Sequence, residues 1–382
     1  MKSINNYLSK SIFLYYAFLI LTSPCMFLAN ITEYSPIYFL FVIACFLFIL
    51  FFINNNSIYL DNNLRLLICI VFIIGFYRFI NYCLFSANFK NNMLQYLSFF
   101  YFCGTLILSK RIDKKELSKF VSFYFLVADF FLLFDFGFRF VRRSDSYSGI
   151  LFFYNFKTNG LMFQDSNFSA FLGMINFGAK LYFKQKLNKN MHIFRTFVLT
   201  VLNLSRASWV GMIIAVMVYL FFKANGRKRI YQILFYISCF LIVSFYIFTT
   251  KINDYSFLTK FEIFNATFYV INNSSVFNLF FGYGVESSKD ILKIGFSAHN
   301  YFSRDFIELG FIAVFLHSFL YICIFIVSRG AFSFILFPYL IAGLSMAPSI
   351  MPYFFTLAGC ILVYEHKNKY LLKGDYESCK LI

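Results

Sequence analysis

Apolar runs of about 18–25 residues recur along nearly the whole chain, separated by short polar segments. One such run, wound as a helix, crosses the hydrocarbon core of a bilayer, roughly 30 Å thick. Inside that core each backbone amide needs a partner within protein, which leaves helices or a closed barrel. Alternating stretches of about ten residues, the mark of a barrel, are not found. Sixty per cent of the 382 residues are hydrophobic and only 13% are charged, too few charges to cover a soluble surface. The expected fold is therefore an all-α polytopic membrane protein.

Twelve spans fit the pattern, at 11–29, 36–53, 64–82, 91–108, 117–137, 159–183, 191–204, 207–222, 231–250, 303–327, 331–346 and 350–364. Both termini then lie in the cytoplasm. Most of the 34 basic residues fall in segments assigned inside, as the positive-inside bias requires. The run 191–204 is short for a span, but merging it with the next turns the basic KANGRKR segment outward, so the two stay separate. Lys2 and Lys10 precede an apolar stretch without a small-x-small cleavage pattern, so this first run reads as a retained helix. The chain reads as one transmembrane domain, 1–382, with a large periplasmic loop over about 251–302. Basic residues spread among the loops account for the net charge of +17 by topology, and no nucleic-acid partner is expected. The nine cysteines lie mostly in apolar runs with no Cys/His ligand spacing, so they read as small core residues and no metal is expected.

Titratable groups cluster most tightly in GFSAHNYFSRDFIELGFIAVFL, Gly295 to Leu316, at the brink of an apolar run. Such groups are costly at a membrane boundary unless paired or wetted, and function is the usual reason for keeping them. His299 is a general base suited to neutral pH. Arg304 and Glu308 are spaced to pair on a helix, and Asp305 and Glu308 fall on neighbouring positions. Arg206, in NLSRASWVG, lies at an outer turn, where its planar fork suits a phosphate or pyrophosphate. Arg139, Arg142 and Arg143 form a second outward-facing basic group. Asp129, Asp135 and Asp165 fall within or beside spans and are expected to face the bundle interior or a wet cavity. Gly282 and Gly284, in FGYGVESS, suggest a tight loop with Glu286 as a contact after it. Blander readings stand beside these: a snorkelling Arg206, a structural His299, a salt bridge that merely orients the loop. Arg78 reads as a snorkelling anchor, and His192, His317 and His366 have no partners at metal-ligand spacing. No P-loop, dinucleotide-binding glycine pattern, Asp-x-Asp pair or nucleophile elbow is present, which argues against ATP hydrolysis and metal-chelated sugar-nucleotide chemistry.

Three segments, in this order, resemble the O-antigen ligase/polymerase superfamily of bacterial membrane glycosyltransferases. GLMFQDSNFSAFLGM resembles its Asp/Asn-x-Asn helix start, NLSRASWVGMIIAV its Ser-Arg helix, and GYGVESS…AHNYFSRDFIELGFIAVFL its Gly-x-Gly loop followed by His-Asn and Glu-x-Gly. Together they cover about a fifth of the chain, and the first 150 residues match in hydropathy alone. The resemblance implies a GT-C-like membrane glycosyltransferase in the bacterial inner membrane with its site facing the periplasm. It implies metal-independent, inverting transfer from an undecaprenyl-pyrophosphate-linked oligosaccharide, with no cofactor. On this basis His299 and Arg206 are the catalytic candidates; Arg143, Arg304, Asp165, Asn167, Glu286, Asn300 and Glu308 are the substrate-binding candidates. The lipid-linked oligosaccharide is both donor and acceptor, within the lipid bilayer, and a chain-length regulator protein is a further candidate partner.

The first expectation is a polymerase of O-antigen repeat units. The alternatives are a ligase transferring the glycan to lipid A-core, a flippase for the same lipid, and a structural membrane scaffold. Against transport, the polar groups gather on one face and no repeat is found, whereas carriers place their sites near the midplane.

Overall fold

The computed structural model describes residues 60–85, 98–107, 114–142, 156–157, 160–161, 165–187, 191–236, 255–294, 298–346 and 351–372, with 42–43, 45–46 and 238. Every regular element among the described residues is a helix. They are α1 (Asn62–Phe85), α2 (Ser98–Ile107), α3 (Lys114–Arg142), α4 (Ser166–Leu187), α5 (Ile193–Leu202) and α6 (Arg206–Lys223), the last followed by a helical stretch at 227–236. After these come α7 (Tyr255–Asn273), α8 (Val276–Phe281), α9 (Ser288–Leu292), α10 (Tyr301–Val327), α11 (Ser333–Gly343) and α12 (Pro352–Leu372).

Four of them, α1, α3, α6 and α10, are long and apolar enough to cross a membrane. They turn large apolar side chains outward, Phe72 and Phe76 on α1 and Phe311, Phe315 and Ile326 on α10 among them, a surface that suits lipid and not water. The expected count of twelve spans rests partly on 11–29, which lies wholly outside the described residues, and on 36–53 and 231–250, which lie mostly outside them.

Helix α4 is the hub. Buried continuously from Ser169 to Phe183, it packs against α3, α5, α6, α11 and α12. Aromatic seams tie it to its neighbours, Phe171 against Tyr339 of α11 and Tyr182 against Tyr364 of α12. Two of its polar side chains, Lys180 and Ser169, are matched from outside. Lys180 pairs with Asp129 of α3 at 2.7 Å, and that carboxylate also takes Arg195 at 2.7 Å and the Thr196 hydroxyl at 2.7 Å. Ser169 donates to Asp135 at 2.7 Å. Asp135 in turn holds Arg139 at 2.9 Å and accepts the Leu161 amide at 2.7 Å. Arg139 is therefore not part of an outward-facing basic group. It is fully buried, and its guanidinium also donates to the Lys157 carbonyl. The i,i+4 spacing of Asp135 and Arg139 explains the difference, because a charge inside the bundle requires a paired neighbour.

Helix α10 is broken. Gly310 has φ 76° and ψ −177°, a conformation essentially closed to residues with a Cβ. Tyr301 and Tyr321 bring their hydroxyls within 3.3 Å, and Asp305 meets His317 at 2.9 Å. In a straight helix these pairs would stand roughly 30 and 18 Å apart. The half-helix 301–309 therefore folds back alongside 311–327, with Gly310 at the apex. The carbonyls freed by the break are collected locally. Tyr283 and Gly284 donate their amides to Ile307 and Glu308 at 2.9 Å, and Tyr77 of α1 donates its hydroxyl to Leu309. Asn81 donates to Phe281 at 2.6 Å, fixing the same corner.

The segment 251–302, expected as a large periplasmic loop, carries α7, α8 and α9. Ile263 and Val270 of α7 pack with Leu292, Ala298, Phe306 and Ile307, closing a small core over the half-helix. The Gly-Tyr-Gly segment is the interlock: a Cβ at Gly310 would run into the Phe280 carbonyl, and one at Gly282 into the Glu308 carbonyl. G310A is expected to lower the unfolding free energy by about 1–3 kcal/mol or more. G137A, on α3 where a Cβ meets nothing within 4 Å, is expected to cause no loss. Thermal unfolding in detergent compares the two.

Candidate functional site

Three helices begin around one region. Asp165 opens α4, its carboxylate accepting the Asn167 amide at 2.9 Å and the Asn167 side chain at 3.0 Å. Asp and Asn suit this position because a short side chain reaches the unpaired amides of the first turn. Ser166 then donates to the Asn203 carbonyl at 2.9 Å, which brings the start of α4 against the turn joining α5 to α6. That turn passes through Leu204 at φ 56° and releases Arg206 as the first residue of α6. Asn300 opens the half-helix 301–309 by accepting the Ser303 amide at 3.0 Å. Tyr301 lies against Tyr339, which lies against Phe171 of α4, so the half-helix starts near the second turn of α4.

Charged side chains gather on these starts. The charge of Asp165 acts on both Lys157 and His299; that of Arg206 acts on Lys157, and those of Arg304 and Lys260 act on His299. Burial holds the Lys157 ammonium below its ordinary value; Asp165 opposes that shift and Arg206 adds to it. His299 presents an exposed edge, yet the protein packed around it lowers its pKa. Asp165 works against this lowering, and Arg304 and Lys260 reinforce it. A histidine whose pKa is lowered in this way is neutral at neutral pH, the form that can accept a proton.

The arrangement favours an anion. Each helix start adds the positive end of its dipole, about 0.3–1 kcal/mol toward a negative ligand. Arg206, Lys157, Arg304 and Lys260 supply formal charge. The Asn300 Nδ2, buried, has no hydrogen-bond partner among the described residues and is a donor that an anion would satisfy. Among the described residues no group of His, Cys, Asp and Glu is spaced to hold a metal ion.

Of the residues singled out from sequence, Arg206, Asp165, Asn167, His299, Asn300 and Arg304 fall in this region. Glu308 does not face His299. Its carboxylate takes Ser288 at 2.9 Å and Arg304 at 3.2 Å, so it orients the arginine. Glu286 is exposed on the turn leaving the Gly-Tyr-Gly segment, which is bonded to the far end of the half-helix at Glu308. Arg143 lies outside the described residues. Lys157 and Lys260 carried no motif and were missed; only tertiary folding brings them here. Arg78 is not a snorkelling anchor, and the pairing of His317 was not foreseen. Arg78 is 1% exposed and bonds His317 Nε2 at 3.2 Å, while His317 Nδ1 meets Asp305 at 2.9 Å. Nothing in sequence spacing links residues 239 apart.

Comparison with protein-family models, with curated proteins and with solved structures finds no match.

The electrostatics of His299 are testable alone. D165N removes the charge that raises its pKa, so the histidine is expected to titrate at lower pH than in the parent. K260A removes a charge that lowers it, and titration is expected to move up. The pH dependence of diethylpyrocarbonate modification of His299 measures both shifts.

Proposed function

We propose that the protein is a membrane-embedded glycosyltransferase that joins lipid-linked oligosaccharide repeat units, an O-antigen polymerase. One observation carries the reading: beside helices long and apolar enough to span a membrane, Asp165 links two cationic groups, Arg206 acting with it on Lys157 and Arg304 and Lys260 acting with it on a histidine of lowered pKa. A diphosphate needs that concentration of positive potential, and a lipid carrier brings its diphosphate to the membrane boundary. The order of the Asp165–Asn167, Ser205–Arg206 and His299–Asn300 segments, as in the O-antigen ligase/polymerase superfamily, supports the same reading.

In this chemistry the acceptor hydroxyl oxygen attacks the anomeric carbon of the donor. The carbon–oxygen bond to the diphosphate breaks on the opposite face, giving inversion. His299 takes the hydroxyl proton, and the electron pair of the broken bond leaves on the undecaprenyl diphosphate. Arg206, with Lys157 and the start of α6, stabilises the charge that grows on that leaving group, where preorganised donors are worth most. Asn300 and Arg304 hold the reacting sugars in place, which reduces the entropic barrier. No ATP is needed, since the diphosphate is already a good leaving group. The proposal places the protein in the bacterial inner membrane with both termini cytoplasmic and the site facing the periplasm.

H299A and R206A are each expected to abolish glycan extension while the protein still inserts; wild-type ladders on lipopolysaccharide gels from both would reject the assignment. Deletion of the gene is expected to leave core bearing a single repeat unit. Bare core with lipid-linked polymer accumulating would mark a ligase instead.

A further inference from the structure

The proposed chemistry leaves one buried polar chain unused. It runs from Arg78 of α1 through His317 to Asp305, joining α1 to both arms of the folded-back α10. All three side chains are almost wholly enclosed, and the imidazole stacks on Phe99 of α2 with ring centroids 6.4 Å apart. The hydrogen bonding fixes the state of the ring. A guanidinium only donates, so Nε2 must present its lone pair to Arg78. Nδ1 therefore carries the hydrogen and donates to the Asp305 carboxylate. His317 is a neutral bridge between a buried cation and a buried anion.

We infer that His317 is a positioning residue for His299, holding the half-helix 301–309 at the depth and rotation that present His299 and Asn300 to the cationic region. The anchors come from one turn of α1. Tyr77 and Asn81 hold the apex, through the carbonyls of Leu309 and Phe281. Arg78 holds the middle of the half-helix through His317 and Asp305. Asp305 is five residues past Asn300, about one and a half turns, so releasing it frees the end that carries His299. Nearer the start, Tyr301 adds a second restraint through the Tyr321 hydroxyl and the Tyr339 ring, but it lies on the helix side of Asn300 and does not replace the anchor at Asp305.

The bridge requires one acceptor and one donor on the same side chain. Glutamine has both; leucine has neither. The activity readout rests on the proposed transferase, so a second readout is independent of it. Ala298 is buried, so a cysteine placed there reacts with a maleimide only when the half-helix start moves. In a background with the nine native cysteines replaced, A298C is expected to stay protected with His317 or H317Q. With H317L it is expected to label at least tenfold faster. The kcat of H317L is expected to fall at least tenfold with donor KM changed less than threefold, and H317Q to restore kcat to within threefold. H317L that is as protected and active as the parent overturns the inference. So does a monodisperse H317Q that labels rapidly, whether or not H317L folds. Labelling that follows this pattern in a protein without transferase activity supports the positioning and removes the proposed reaction alone.

Discussion

A helix interrupted inside a packed apolar bundle leaves buried carbonyls that need new partners, and the structure around Gly310 is arranged to satisfy them. Ile307, Glu308 and Leu309 lose their partners in the next turn and gain Tyr283, Gly284 and Tyr77. This exchange works only where the Gly-Tyr-Gly segment can press directly on the break, which is why both sides of the contact are glycine. The same requirement makes α7, α8 and α9 part of the bundle. A segment that merely arched over the surface would leave the half-helix with unpaired backbone. The fold-back then turns the start of the half-helix toward α4 and α6, and the candidate site follows from it.

The other buried charges obey one rule. Asp129, Asp135 and Asp305 each sit against a basic or imidazole partner, and Asp129 and Asp135 accept further donors from hydroxyls, amides or side chains nearby. Removing one member of such a pair costs about 3–5 kcal/mol, because the other is left charged and buried. These pairs lock α3, α4, α5 and the two arms of α10 around a rigid frame. The region near His299 differs in kind. There Arg206, Lys157, Arg304 and Lys260 gather with two carboxylates, Asp165 and the Glu308 that pairs with Arg304, and the excess of cations marks the region as a place for an anion.

Much of this was legible in the sequence, and the remainder had physical reasons to be hidden. Hydropathy marked the apolar runs now seen as the helices α1, α3 and α6, each long and apolar enough to span a membrane, while the run 303–327 is a helix broken at Gly310 and not one continuous span. The separation of 191–204 from 207–222 also holds, with the turn at Asn203–Ser205 and Arg206 opening the second helix. The pairing of Arg304 with Glu308 was readable from i,i+4 spacing. The break at Gly310 was not, because the apolar run continues through it unchanged and only φ distinguishes that glycine. Once the break was missed, Asp305 and His317 stood three turns apart on paper, and their contact with Arg78 was invisible. Arg139 was misplaced for the opposite reason: its neighbours Arg142 and Arg143 gave it the look of a surface group, while Asp135 one turn earlier decides its direction.

The account depends on Arg206 and His299 sharing one compartment. Cysteines introduced at 206 and 299, one at a time, can be probed with a membrane-impermeant maleimide in sealed vesicles of each orientation. The account predicts that both positions react in the same vesicle orientation and are silent in the other. Reaction of 206 from one side and 299 from the other would contradict it.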